Sequence, residues 1–317
     1  MKKIIFLLLI MTVIISCEKG DVNSTGEETN IESTIESKTD RFSFKDWNEF
    51  NDLYSKFSKL GMEELEMNSF FSYDRDLEVS PAIQGILNND NEFELGGKII
   101  WFKDGKFYEL DEEGIAVQKS DIENLKEVGS VSYTRVDPKG VIPGNETGIV
   151  AAKGVVVDNQ YEFRKQRYVE NCGSGNTQGT SPRAFKYVHE VYAEHLNTGG
   201  PFRVDTYRIF LRVKLEYNPK RRRWRLSGER REISINLSNN SFLRNHNGPV
   251  SPHPSDVNNR SVVFSSSCAT HQTLLLNSVT APGPIAGAHW DINVNGTITE
   301  KMYGDVERNR WRDRINW

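Results

Sequence analysis

The chain opens on an apolar stretch, residues 4–15, interrupted only by Thr12 and preceded by Lys2 and Lys3. At about a dozen residues it is too short for a hydrocarbon core that takes about 20 to cross. A basic start and a short apolar run are the pattern of a secretory signal. Polarity then reverses. Residues 18–40 hold seven acidic side chains, two lysines and no aromatic residue. Such a stretch cannot bury enough apolar surface to order itself, and it is expected to serve as a flexible tether spanning about 25–30 Å as a coil.

From residue 44 the pattern becomes helical. Trp47, Phe50, Leu53, Tyr54, Phe57 and Leu60 recur at three- and four-residue spacing, which predicts an amphipathic helix over residues 44–60 with an aromatic core face. Ser43 is placed to cap it, Asp46 stands at the reciprocal position, and Gly61 is placed to stop it. A short helix or loop over residues 80–91 leads into a strand-rich unit. Residues 93–95 pass through Gly96 and Gly97 into 98–103, and Asp104-Gly105 predicts a two-residue hairpin turn back along 106–110.

Beyond residue 130 the period is that of strands. Candidates are 131–136, 148–157, 161–169, 184–195, 203–217, 223–236, 260–267, 271–279, 286–294 and 297–303, separated by turn-forming pairs such as Asp158-Asn159, Asn218-Pro219 and Asn295-Gly296. Alternation is clearest where Tyr207, Ile209, Leu211, Val213 and Leu215 fall on one face. The expected architecture is an α+β N-terminal region followed by a mainly antiparallel all-β domain, a β-sandwich or irregular barrel. The expected boundaries are 1–16 for the signal, 17–40 for the tether, 41–128 for the small α+β domain and 129–317 for the β-rich domain.

The signal run ends in Ser16 and Cys17. This resembles the lipobox of bacterial lipoproteins, although Ile14 and Ile15 stand where Leu and a small residue are usual. The resemblance implies that Cys17 is acylated and becomes the mature N-terminus, with the lipid bilayer as partner. More than one acyl chain gives stable anchoring. Phe71 and Ser72, then Ile86-Leu87-Asn88, Asp90, Glu92 and Leu95-Gly96-Gly97-Lys98-Ile99, extend the likeness. Over roughly residues 42–115 the chain resembles uncharacterised Bacteroidota cell-surface lipoproteins carrying a domain of unknown function. That resemblance implies an outer-membrane, surface-exposed location and a fold style, and no chemistry.

Composition changes this picture at two points. With Cys17 assigned to lipid, Cys172 and Cys268 remain, and in an oxidising envelope they are expected to form a disulfide. A closed loop of about 96 residues would be worth about 4–5 kcal/mol in the chain-entropy model. Charge is also divided: residues 41–150 carry 12 Lys+Arg against 22 Asp+Glu, and residues 151–317 carry 24 against 15. Either the two halves dock on each other or the basic half meets an anionic partner.

No motif announces catalysis. His189-Glu190 and Glu194-His195 lack the four-residue spacing of HExxH, and on a strand the two histidines would lie about 20 Å apart. His246, His253, His271 and His289 are scattered, and Ser265-Ser266-Ser267 is no nucleophile elbow. Catalytic residues, metal ligands and cofactors are therefore expected to be none. The densest cationic cluster, Arg221, Arg222, Arg223, Trp224 and Arg225, with Arg230 and Arg231 beyond it, is either a solvated face or a site for phosphate, sulfate or carboxylate groups. Arg221, Arg223, Trp224 and Arg225 are the candidate ligand-binding residues. Nucleic acid is not an expected partner. The function expected is non-enzymatic binding of an anionic or neutral glycan, or of another envelope component. The alternatives are a hydrolase acting on polysaccharide or peptide and a structural role in envelope assembly.

Overall fold

The computed structural model describes residues 41–317 except 74, 76, 112–114, 137–158, 166–168, 171, 173–176, 179–183, 200–203, 219–222, 246 and 251–258. Cys17, Arg221, Arg222, His246, His253 and the strand expected at 148–157 lie outside the described residues.

A short strand, β1 (Ser43–Phe44), precedes helix α1 (Trp47–Phe57). The helix starts later than its apolar stripe suggested because Asp46, not Ser43, caps it. The Asp46 carboxylate accepts the Asn48 and Glu49 N–H groups at 2.9 and 3.1 Å, and Glu49 reaches back to the Lys45 N–H at 2.7 Å. These reciprocal bonds satisfy donors that the first turn leaves open. Gly61 does not end α1, which closes at Phe57. It opens α2 (Met62–Asn68), and α3 (Pro81–Ile86) follows with Ser80 as its cap.

Strands β2 (Glu92–Leu95), β3 (Lys98–Lys103) and β4 (Lys106–Leu110) form a meander, followed by α4 (Ile115–Ser120) and β5 (Lys126–Val136). The Asp104-Gly105 turn has φ of 49° and 79°, and Lys103 pairs Lys106 across it, as its sequence predicts. Then come β6 (Asn159–Arg164), β7 (Val169–Glu170), β8 (Thr177–Gln178), β9 (Ala184–Thr198), β10 (Val204–Asn218), β11 (Arg225–Leu226) and β12 (Arg231–Asn239). The chain finishes with β13 (Phe242–Asn245), β14 (Gly248–Pro249), β15 (Asn259–Ser267), β16 (His271–Ala281), β17 (His289–Asp291), β18 (Val294–Met302) and β19 (Trp311–Asn316).

The fold is mostly β, with its helices near the N-terminus and a large curled, mainly antiparallel sheet, as the pattern predicts. That sheet runs β1-β2-β3-β4-β5-β9-β10-β11, with β6 also on β9 and β16 also on β10. The boundary expected at 128/129 falls inside β5. One end of this strand pairs β4 and most of its length pairs β9, so the meander and the long strands share one hydrogen-bonded sheet. Lys38–Trp317 forms one compact unit. Asn295-Gly296 is also not a turn. It lies within β18, where a Cβ on Gly296 would sit 2.2 Å from the Asn236 carbonyl oxygen. Only glycine allows that approach.

Strands β9 and β10 pair from Ala184 opposite Asn218 to Thr198 opposite Val204. Residues directly opposite share a face. The odd-numbered face carries Val191, Ala193, Ile209, Leu211 and Val213. It packs on Ile233, Ile235, Leu237, Ile298 and Ile315 of a second sheet, ordered β15-β12-β18-β19. The C-terminal segment thus covers an edge of that sheet as β19. On the even face, Leu196 and Val131 lie under Phe50, Tyr54, Phe93 and Phe107 of the N-terminal layer. Phe93 is fully buried and meets Phe50 and Phe107 at 4.9 and 5.8 Å between centroids. Cys172 and Cys268 form a disulfide with Cα atoms 5.5 Å apart. The Cys268 N–H donates to Glu63 of α2, which fixes that end of the bridge.

Candidate functional site

The even face of the long strands is polar over most of its length. Register sets the rows: Tyr133, Glu194, Arg208 and Ser278; then Arg135, Tyr192, Phe210 and Leu275; then Glu190, Arg212 and Thr273; then Val188, Lys214 and His271; then Lys186 and Glu216. Alternation puts these side chains opposite the apolar core, where a sheet with one solvated face carries polar residues. Here most are half-buried or buried instead.

The first row is sealed by α1. Tyr54 donates its hydroxyl to Glu194, Arg208 lies over the Tyr54 ring at 3.3 Å, and Arg208 reaches Ser55, Ser58 and Ser278 at 2.8–3.1 Å. Burial raises the Glu194 pKa in spite of the hydrogen bonds from Ser80 and Tyr54 and the charge of Arg208. These groups join helix to sheet and are saturated with partners.

Beyond the helix the arrangement changes. Arg135 and Lys214 hold Glu190 at 3.1 Å each, and Lys214 and Lys186 hold Glu216 at 2.9 and 3.0 Å. Burial alone would raise the Glu216 carboxyl, but the two lysines outweigh it and keep it below its ordinary range. Arg212 adds a fourth cation. Its Nε lies 4.0 Å from Glu190 and makes no hydrogen bond, and one terminal nitrogen donates to Tyr192 Oη at 3.4 Å. Burial would lower its pKa, but Tyr133, Tyr192 and Glu190 reverse the shift, so the guanidinium is charged. Tyr133 stacks on Tyr192 at 4.6 Å between centroids. The Tyr133 hydroxyl is buried without a hydrogen-bond partner, and so is Thr273 Oγ1. Burial holds Tyr133 neutral, so its hydroxyl remains a donor. His271 is kept neutral by burial and by Arg212, Arg231 and Lys214.

Of the residues singled out from sequence, the described ones fall at the rim. Arg223 and Arg225 are exposed, and Trp224 is half-buried. Trp224 lies 4.7 Å from Lys186 Nζ, so it joins the end of the charged row. Glu190 of the His189-Glu190 pair lies within the row. His195 stacks on Tyr207 at 4.3 Å and bonds Asp205 at 2.7 Å on the other face. His289 is half-buried, and its Nδ1–H donates to the Gly287 carbonyl. No group of three His, Cys, Asp or Glu among the described residues is placed to hold a metal ion.

His189 is fully buried between the sheets. Nδ1 meets Asp313 at 2.7 Å and Nε2 meets Glu300 at 2.9 Å, an arrangement in which both ring nitrogens donate. Burial would lower its pKa, but the two carboxylates raise it above its ordinary value near 6.5. The stability it contributes is therefore complete below about pH 6.5 and lost as pH rises through the folded value. We expect the urea midpoint to fall as pH rises above neutrality, and His189→Gln to flatten that decline. An equally steep decline in the variant would assign the effect to other groups.

No protein-family model matches the chain, and no curated protein matches it. Among solved structures it is similar to a DUF4848 family protein from Bacteroides thetaiotaomicron, at 9% identity, over 85% of this chain and 76% of that chain. The TM-score is 0.16.

Proposed function

We propose that this chain is a lipid-anchored, non-enzymatic binding protein of the bacterial cell envelope, held by acylated Cys17. Its ligand, a glycan or another envelope component, contacts the polar face of the long strands. One observation carries the reading. Four half-buried cations, Arg135, Lys186, Arg212 and Lys214, share two carboxylates, Glu190 and Glu216, beside the Tyr133–Tyr192 stack and Trp224. Partly desolvated charge without full compensation is costly for a fold, and aromatic rings beside polar groups suit the flat faces and hydroxyl edges of sugars. Both carboxylates are clamped by cations, which suits charge balance better than proton transfer to a substrate.

Titration of the purified protein with a panel of neutral and anionic glycans, by calorimetry at low and high salt, tests the reading. We expect saturable binding to at least one member and a loss of about tenfold in affinity on Tyr192→Ala. If no glycan binds, the glycan reading fails, and stable copurification with membrane proteins would then favour an assembly role.

A further inference from the structure

We infer that the fold makes Asn247, and not Asn295, a site of spontaneous covalent modification, its side-chain amide converting without an enzyme to aspartate and isoaspartate. The chain holds two Asn-Gly pairs, Asn247-Gly248 and Asn295-Gly296. Glycine after asparagine favours this chemistry because no side chain shields the backbone nitrogen that must attack. At Asn247 the Gly248 nitrogen loses its proton to hydroxide and attacks Asn247 Cγ. The new C–N bond closes a five-membered succinimide, and the side-chain nitrogen leaves, takes a proton from water and departs as ammonia. Water then opens the ring at one carbonyl to give aspartate, or at the other to give isoaspartate. One water is consumed and one ammonia released, with no oxidant or reductant.

The structure separates the two pairs. Asn247 is exposed in the turn between β13 and β14. Its backbone N–H donates to Asn245 Oδ1 at 2.9 Å, while its side chain makes no hydrogen bond among the described residues. A Cβ on Gly248 would meet nothing within 4 Å, and the φ of 123° there suits glycine. Strand β14 is only Gly248–Pro249, on the edge of a three-stranded sheet, and Pro249 has no N–H for the ladder. Opening the turn for ring closure therefore costs little. Gly296, by contrast, lies in β18 between Leu237 of β12 and Ile315 of β19. A Cβ there would sit 2.2 Å from the Asn236 oxygen and 2.8 Å from Leu237 Cα. Asn295 Nδ2 is also held by Asn293 Oδ1 at 2.8 Å. Ring closure at this pair needs β18 to leave both neighbours, a far costlier opening.

The test is peptide mapping by mass spectrometry of the full protein kept for weeks in mildly alkaline buffer, with isoaspartyl methyltransferase as a second readout. Native protein is expected to convert Asn247 at least about 100-fold faster than Asn295. In urea, where the sheets are gone, the two pairs should convert at comparable rates. Asn247→Gln, which could close only a less favourable six-membered ring, should abolish the product in that peptide with an unchanged unfolding midpoint. Equal conversion of the two sites in native protein would overturn the inference. So would a native Asn247 that stays intact while urea converts it, or an Asn295 that stays intact in urea, which would place the difference in sequence alone. Product that persists in Asn247→Gln would move the chemistry to Asn245 and overturn it too.

Discussion

Arg231→Met is expected to lower the unfolding free energy by about 3–5 kcal/mol, read from urea denaturation followed by circular dichroism. Arg231 is fully buried on β12. One guanidinium nitrogen pairs with Glu300 at 2.9 Å, and the other lies 3.3–3.4 Å from the carbonyls of Val213, Ala269 and Thr270. Glu300 is also fully buried, and its second oxygen takes His189. With Asp313 on the far side of the imidazole, two cations and two anions make a neutral set spanning both sheets. Removing Arg231 leaves that set with one excess negative charge where water cannot reach it. That uncompensated charge is the expensive state, more so than a hydrophobic replacement of the whole pair. Accordingly Arg231→Met with Glu300→Gln should recover part of the loss, a favourable coupling in a double-mutant cycle. A single variant that costs less than about 1 kcal/mol, or a double that is simply additive, would mean that Glu300 finds another counter-charge.

This network also shows where sequence and structure part. The hydrophobic faces were legible because burial imposes a period. Tyr207, Ile209, Leu211, Val213 and Leu215 alternate, and all five are buried. The Asp104-Gly105 turn was legible because its backbone needs positive φ at both positions. The helix start was less so: both Ser43 and Asp46 are competent caps, and the Glu49 side chain that decides between them acts through a reciprocal bond to Lys45. The candidate site was hidden by a different cause. Arg212, Lys214 and Glu216 occupy the face opposite the apolar one, which in isolation resembles any solvated face. What distinguishes them is the alignment of β5 and β16 on either side of the β9–β10 pair, which no local pattern carries. The densest arginine run drew attention by composition, yet its described members Arg223 and Arg225 are exposed. Only Trp224, through Lys186, reaches the row.

The second large effect is expected at the join between helix and sheet. Arg208→Met should cost about 3–5 kcal/mol and should loosen α1, read as faster amide exchange across Trp47–Phe57 than in the rest of the core. Arg208 is 2% exposed and spends each guanidinium nitrogen on a serine: Ser278 on the sheet, Ser55 and Ser58 on the helix. Its flat face covers the Tyr54 ring, and Tyr54 in turn donates to Glu194, the register partner of Arg208 on β9. Without the guanidinium, three serine hydroxyls lose a partner and Glu194 is left with its hydrogen bonds from Tyr54 and Ser80. Acid should relieve the variant. Burial already holds the Glu194 pKa above its ordinary value, and loss of Arg208, which lowers it, raises it further. A group with a raised carboxyl pKa binds its proton more tightly when folded, so folding gains as pH falls through that value. The deficit of Arg208→Met relative to the parent should therefore shrink between pH 7 and about pH 5. A deficit independent of pH would mean that the loss is one of packing against Tyr54, with Glu194 already protonated in the parent.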